Sequence, residues 1–425
     1  MMAKVLGLVV EYNPFHYGHL HHLRESIRLA NPDYVIAVMS GNFCQRGEPA
    51  IVNKFARTRI ALMNGIDLVL ELPTIYATQD AGGFALGSIG ILHKSGVVTD
   101  IVFGSESGDI EFLKKVASLL IYQTPEFQQA FKTQLKKGYS YPNARKFALM
   151  DVLSDKVSKL SKSNDILGIE YVKSLIHYNS SITPNVIRRI GADDNDPEFK
   201  GKLSSASAIR RVIKLGDFEM TKDAIPDSTY EILKEEFQTG RGPVFWESLE
   251  FVLALFRKLK REDFGKIYSF NEGLDLRFYE SARSSGDLQQ FVELVKAKRF
   301  TYSRIRRAIL HVLFDMEKEK IEKCNELGPQ YLRVLGFNSK GREILKEIKK
   351  KSEIPIISTA SLYKQVLEEA EKQNEEGKRE WKIDSELFIW QFEKDILASD
   401  LYTFLYPNKS LRNAGMDFEQ PVMML

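Results

Sequence analysis

This chain has little cysteine, no long apolar run and almost no excess of charge, and each shortage removes a class of protein. Its two cysteines, Cys44 and Cys324, stand far apart and form no C-x-x-C pair, which argues against a disulfide framework and against a cysteine zinc site. A reducing, cytoplasmic compartment is expected. No apolar stretch approaches the ~20 residues needed to span a bilayer, and Met1 to Val10 lacks the charged-then-apolar plan of a signal peptide. A soluble protein without a membrane partner is expected. A formal charge of +3 is too near balance to imply nucleic acid by itself, so only the local placement of Lys and Arg can argue for it. No fixed-period repeat is visible.

What is present is a long chain with well-stocked cores. A length of 425 residues, 44% of them apolar, predicts two or three domains. Apolar, β-branched runs recur at Val5–Val10, Tyr34–Met39, Asp67–Leu70, Asp100–Phe103 and Val186–Ile190, with amphipathic segments between them. That alternation predicts an α/β fold with a parallel sheet, whose ligands bind at the carboxyl ends of the strands. Residues Glu111 to Ile176 read as mostly helical, an insertion before the last strand. The sheet domain is placed at residues 1–235. Gly240-Arg241-Gly242-Pro243 is a break, and beyond it helical periodicity dominates, so residues 236–425 are expected to form a second, mainly α-helical domain. The charge-dense stretches Arg342–Lys351 and Glu368–Lys378 read as solvated helix faces, and the turn-rich tail, Pro407 to Leu425, is expected to be poorly ordered.

Two segments carry chemistry. Pro14-Phe15-His16-Tyr17-Gly18-His19-Leu20 follows the first strand and opens a helix. The first turn of a helix has unpaired N–H groups and a positive dipole end, so a strand-to-helix turn with two imidazoles around a glycine suggests a phosphate site. The plainer alternative is a capping residue and a surface residue. The second segment, Leu203-Ser204-Ser205-Ala206-Ser207-Ala208-Ile209-Arg210-Arg211, begins an amphipathic helix expected over Ala206–Leu215. Its hydroxyls and N–H groups can hold phosphate oxygens, with Arg210 as a charge clamp; taken alone, it is also an ordinary serine cap.

Together, the first-strand H-x-G-H and the late S-S-x-x-x-I-R resemble the HIGH-type nucleotidyltransferase superfamily, relatives of class I aminoacyl-tRNA synthetases, which implies a Rossmann-like domain and adenylyl chemistry on ATP. The match narrows through Val9-Val10-Glu11-Tyr12-Asn13-Pro14-Phe15-His16, Gly41-Asn42-Phe43, Gln45-Arg46-Gly47-Glu48-Pro49-Ala50, Asp67-Leu68-Val69-Leu70-Glu71-Leu72-Pro73 and Phe103-Gly104-Ser105-Glu106. These segments are similar to the tRNA(Met) cytidine acetate ligase family. Asn164 to Tyr171, Arg188-Arg189-Ile190-Gly191-Ala192, Arg304-Ile305-Arg306-Arg307 and Tyr331–Phe337 follow in the family's order. Two departures stand out: Tyr17 where an Asn is common, and Asp193-Asp194-Asn195-Asp196 where an aromatic and a histidine are expected.

The resemblance implies activation of acetate by ATP to acetyl-adenylate, then acetyl transfer to N4 of the wobble cytidine of elongator tRNA(Met). It puts ATP contacts on Val9 to His22, including Tyr17, Gly18, Leu20, His21 and His22, and on Gly104, Asn164, Arg188 and Arg189. His16 and His19 are the candidates for stabilising charge on phosphate oxygens. Ser204, Ser205 and Arg210 are assigned the departing pyrophosphate, with Mg²⁺ bound mainly by phosphates and water. Gln45, Arg46 and Lys54 are candidates for acetate or tRNA contact, or for structure. His19, His21 and His22 have no acidic or cysteine partner at ligand spacing, so no protein metal site is expected.

Lys296, Lys298, Arg299, Arg304, Arg306 and Arg307, interleaved with Phe300 and Tyr302, form a basic patch that no acidic residue interrupts between Glu293 and Asp315. Such a cluster neutralises phosphates while its aromatics stack on exposed bases; a basic helix face with acidic neighbours is the alternative. Two other functions remain open at this level. One is adenylyl transfer to a small phosphorylated cofactor, which needs no helical half. The other is a tRNA-binding protein without turnover.

Overall fold

The computed structural model describes residues 3–139, 141–153, 163–189 and 198–425. Ile190 to Asp196, with the departure from the family pattern noted above, lies outside the described residues. Five parallel strands, β1 (Val5–Val10), β2 (Tyr34–Ser40), β5 (Leu68–Leu72), β6 (Asp100–Ser105) and β7 (Thr183–Arg188), form the sheet's middle and one side in the order β5-β2-β1-β6-β7. A short antiparallel hairpin, β3 (Phe43–Cys44) and β4 (Glu48–Pro49), follows β2 outside that sheet. The strands lie where the apolar runs predict them, with ends moved by up to three residues: the fifth begins at Thr183 and stops at Arg188.

β1 is central and apolar on both faces because it is covered on both. Along β2, Ile36 and Val38 enter one core cluster while Val35, Ala37 and Met39 enter the other, the two-residue alternation of a pleated strand. The order reverses direction between β1 and β6, and a crevice opens there at the carboxyl ends. Arg57, fully buried on α2 (Lys54–Met63), fixes that edge by donating to the carbonyls of Glu11 at 2.7 Å and Ser40 at 3.0 Å, and to that of Gly41.

The second half of the chain is mainly helical as expected, but the sheet does not stop at residue 235. β8 (Leu332–Phe337) pairs antiparallel with β5, and β9 (Ile356–Ile357) and β10 (Met423–Met424) pair parallel with β8. Phe256, Phe264, Phe278, Phe291 and Phe300 belong to the same core cluster as Ile36 and Leu70 of the sheet.

The tail corrects an expectation. Residues after Pro407 form a helix, Met416–Glu419, and the edge strand β10, and Asp417 is buried. Its Oδ1 lies 2.7 Å from Lys54 Nζ and 2.6 Å from Arg333 Nη2, while Glu71 takes Lys54 at 2.7 Å and Arg333 at 3.2 Å. Turn-rich composition signals a mobile end only when nothing holds it, and here two buried cations do. Lys54 is therefore structural, as one of its two sequence readings had it.

Candidate active site

A cavity of about 310 Å³ opens at the reversal between β1 and β6. Its floor is the ends of β1, β6 and β7, and three helix starts and the β3–β4 hairpin make its walls. Backbone at the first of these, after β1, is strained: Tyr12 has φ of 49°, a region a bulky residue rarely adopts. Phe15 beside it is fully buried, edge-on to Tyr12 at 4.7 Å, and anchors the turn.

The turn leads into α1 (Tyr17–Ala30), which His16 and His19 cap reciprocally. Gly18 N donates to His16 Nδ1 at 3.0 Å, and His16 N donates to His19 Nδ1 at 3.4 Å. An imidazole that accepts at Nδ1 carries its proton on Nε2 when neutral, so both rings offer an Nε2–H. Burial first, then His16, His22 and Arg189, lower the pKa of His19 well below the usual imidazole value; burial and Arg189 lower that of His22 to about 4. His19 and His22 are thus neutral at pH 7. Gly18 is required because a Cβ there would stand 2.7 Å from His16 Cε1. The hydrogen bonds that cap α1 also aim the rings of His16 and His19, whose centroids are 3.9 Å apart, and both line the cavity.

Across the cavity, the helix Ser163–His177 begins at a relay. Glu106 accepts from the Asn164 amide Nδ2 at 2.8 Å and Asp165 N at 2.9 Å, and Asn164 Oδ1 accepts from Arg189 Nη1 at 3.0 Å. Asn164, Arg188, Arg189 and Gly104, separated in sequence, meet on one wall. Among the residues Val9 to His22, Pro14, Phe15, Tyr17 and Leu20 do not line the cavity. Tyr17 N donates instead to Ala224 O at 3.0 Å.

The helix Ala206–Lys214 supplies the third start. Ser205 caps it, accepting from Ala208 N at 3.1 Å, and Ser204 Oγ accepts from Lys200 N at 2.7 Å. Neither serine lines the cavity; Ala206, Ser207 and Arg210 do. Arg210 donates to Asn13 O at 2.8 Å and reaches Glu48 at 3.4 Å. Ser207, Arg46, Cys44, Glu48 and Tyr171 also line it, though none was assigned an ATP contact from the sequence. The signal for Ser207 lay in the serine motif itself, two residues beyond the cap.

The basic patch divides. Arg306 pairs with Glu48 and lies 5.0 Å from the Trp246 ring centroid, and Arg307 donates to Gln45 O at 3.3 Å. Gly47, at φ +79°, makes room for their backbone, since a Cβ there would lie 2.5 Å from Arg307 N. Arg304 pairs with Glu272 at 3.0 Å, while Lys298 and Arg299 are exposed. The acids missing from the local sequence come from elsewhere in the fold. Among the described residues, no group of three or more His, Cys, Asp or Glu could hold a metal ion, and no helix is long and apolar enough to cross a membrane.

Paired imidazoles at the first strand-helix turn, with a second helix start and an arginine opposite, define a nucleotidyltransferase-type site. Residues 2–417 match the model of the HIGH Nucleotidyl Transferase family. The chain is 72% identical over 420 residues to the tRNA(Met) cytidine acetate ligase of Fervidobacterium nodosum, covering 99% of each. Two crystal structures of Thermotoga maritima TmcAL are also similar: the apo form, at TM-score 0.94 and 50% identity, and one bound with alpha-thio ATP, at TM-score 0.93 and 48% identity, each covering 99% of both chains. The chain therefore belongs to the HIGH nucleotidyl transferase family and, within it, to the tRNA(Met) cytidine acetate ligases.

Proposed function

We propose that this chain activates acetate with ATP as acetyl-adenylate and acetylates N4 of the wobble cytidine of elongator tRNA(Met), releasing AMP and pyrophosphate. The observation that carries the reading is the reciprocal capping of His16 and His19, which holds two imidazole N–H donors on a cavity wall at a helix N-terminus. Attack of a carboxylate on the α-phosphorus needs alignment and charge stabilisation more than covalent help. His16 and His19 meet the phosphate oxygens, aided by the dipole of α1. Arg210 and the start of the helix Ala206–Lys214 hold the pyrophosphate, with Ser204 and Ser205 shaping that start rather than reaching in. Gly104, Asn164, Arg188 and Arg189 bound the nucleotide. His22 Nε2, buried with no hydrogen-bond partner among the described residues, is a further polar atom for it.

The cavity lining is mostly imidazole and guanidinium with few carboxylates, so bound Mg²⁺ would be held chiefly by the nucleotide and would supply charge neutralisation at the phosphates. RNA docking belongs to residues 236–425, through exposed Lys298 and Arg299 and the half-buried Arg304, Arg306 and Arg307. A cytoplasmic location follows from a tRNA substrate. The test is acetate-dependent exchange of labelled pyrophosphate into ATP without tRNA. Exchange is expected; exchange that ignores acetate would transfer the site to another adenylyl acceptor.

A further inference from the structure

Glu11 and Glu48 are the carboxylates on the cavity wall among the described residues, and they are not equivalent. Glu11 Oε1 accepts from Gln45 N at 2.6 Å and Ser40 Oγ at 3.3 Å, which commits it to holding the loop after β2 against β1. Glu48 sits on β4, and among the described residues two guanidiniums reach its carboxylate. Arg210 comes from the phosphate side and Arg306 from the basic helix Tyr302–Leu313. Arg306 Nε beside it is buried with no acceptor among the described residues. Glu48 thus stands between the end of the cavity where the adenylate forms and the side from which RNA arrives.

We propose that Glu48 is the catalytic residue of the second half-reaction, accepting a hydrogen bond from the N4 amine of the target cytosine and taking its proton as the acetyl group transfers. The inference rests on the function proposed above. Cytosine presents an N4–H donor next to the N3 acceptor, an edge that a carboxylate beside a guanidinium matches, whereas uracil presents an acceptor at that place. N4 attacks the acetyl carbonyl carbon; the N–C bond forms, the C–O bond to the phosphate breaks, and AMP leaves with that electron pair. The N4 proton passes to Glu48 and then to solvent. A weak base suffices for this step: once the N–C bond forms, the nitrogen is cationic and strongly acidic.

The rival role is a brace that merely holds Arg210, and the half-reactions separate the two. In Glu48→Gln, single-turnover transfer from acetyl-adenylate formed in place to tRNA is expected to fall about 100-fold, at least about tenfold more than acetate-dependent pyrophosphate exchange or tRNA affinity falls. Glu48→Asp keeps the carboxylate one methylene back and recovers part of the transfer rate. A parallel fall in exchange and transfer overturns the proposal in favour of the brace, and so does unchanged transfer. Should the Gln variant fail to fold, Glu48→Asp is read the same way, with transfer slowed more than exchange expected. Wild-type enzyme that exchanges pyrophosphate but leaves cytidine unacetylated overturns the proposed function instead.

Discussion

Replacing Asp417 by Asn removes one carboxylate from a buried site that holds two cations. Lys54 and Arg333 then share Glu71 alone, leaving about one uncompensated positive charge. Breaking a buried pair in this way costs about 3–5 kcal/mol, and the fold predicts where in that range each pH falls. Asp395 lies in the same cluster, accepting from Thr74 N at 2.6 Å and Tyr331 OH at 2.5 Å, and burial and Glu71 push its pKa up to about 7. Near pH 7 its carboxylate can ionise into the vacated charge at little cost. At about pH 5.5 it is ~1.5 units below that value, and ionising it costs about 2 kcal/mol more. The expected loss is therefore about 3 kcal/mol at pH 7 and about 5 kcal/mol at pH 5.5, read from urea unfolding midpoints of variant and wild type. Unchanged stability, or a larger loss at pH 7 than at pH 5.5, would refute the role given to the tail and to Asp395.

Asp395 also sets a sign for the wild type. The native state holds its proton up to about 7, above the ordinary aspartate value of 3.8. Its contribution to stability therefore declines as pH rises through that window, and Asp395→Asn should abolish the decline in unfolding measured against pH. His19 and His22 stay neutral well below their ordinary value, so pyrophosphate exchange should hold level as pH falls through 6.5; a drop with an apparent pKa there would contradict their assignment as neutral donors. Glu106→Ala releases the Asn164 amide and should raise KM for ATP about tenfold, equivalent to one lost hydrogen bond of about 1.4 kcal/mol. Initial rates against ATP concentration decide it. Lys298→Glu with Arg299→Glu should weaken tRNA binding and lower the salt slope by about two phosphate contacts while sparing exchange, as filter binding at several salt concentrations would measure.

Local pattern carried the five parallel strands, because each is an apolar run bounded by turn residues, and it carried two of the three helix starts of the site. It did not carry the tail or β8. Leu332-Arg333-Val334-Leu335-Gly336-Phe337 alternates imperfectly because Arg333 is a buried cation whose partners, Glu71 and Asp417, are distant in the chain. The patch at Lys296–Arg307 looked uninterrupted for the same reason: Glu48 and Glu272 reach it through the fold. Ser205 and Ser207 show the finer limit. A serine at a helix start is legible, but which hydroxyl caps and which lines the cavity depends on about half a turn of phase.

The most direct test of the central claim is mass analysis of nucleosides from elongator tRNA(Met) incubated with the protein, ATP and isotopically labelled acetate. The account predicts labelled N4-acetylcytidine at the wobble position, formed with AMP and pyrophosphate and absent when either ATP or acetate is left out. Unmodified cytidine in the presence of folded, ATP-binding protein would contradict it.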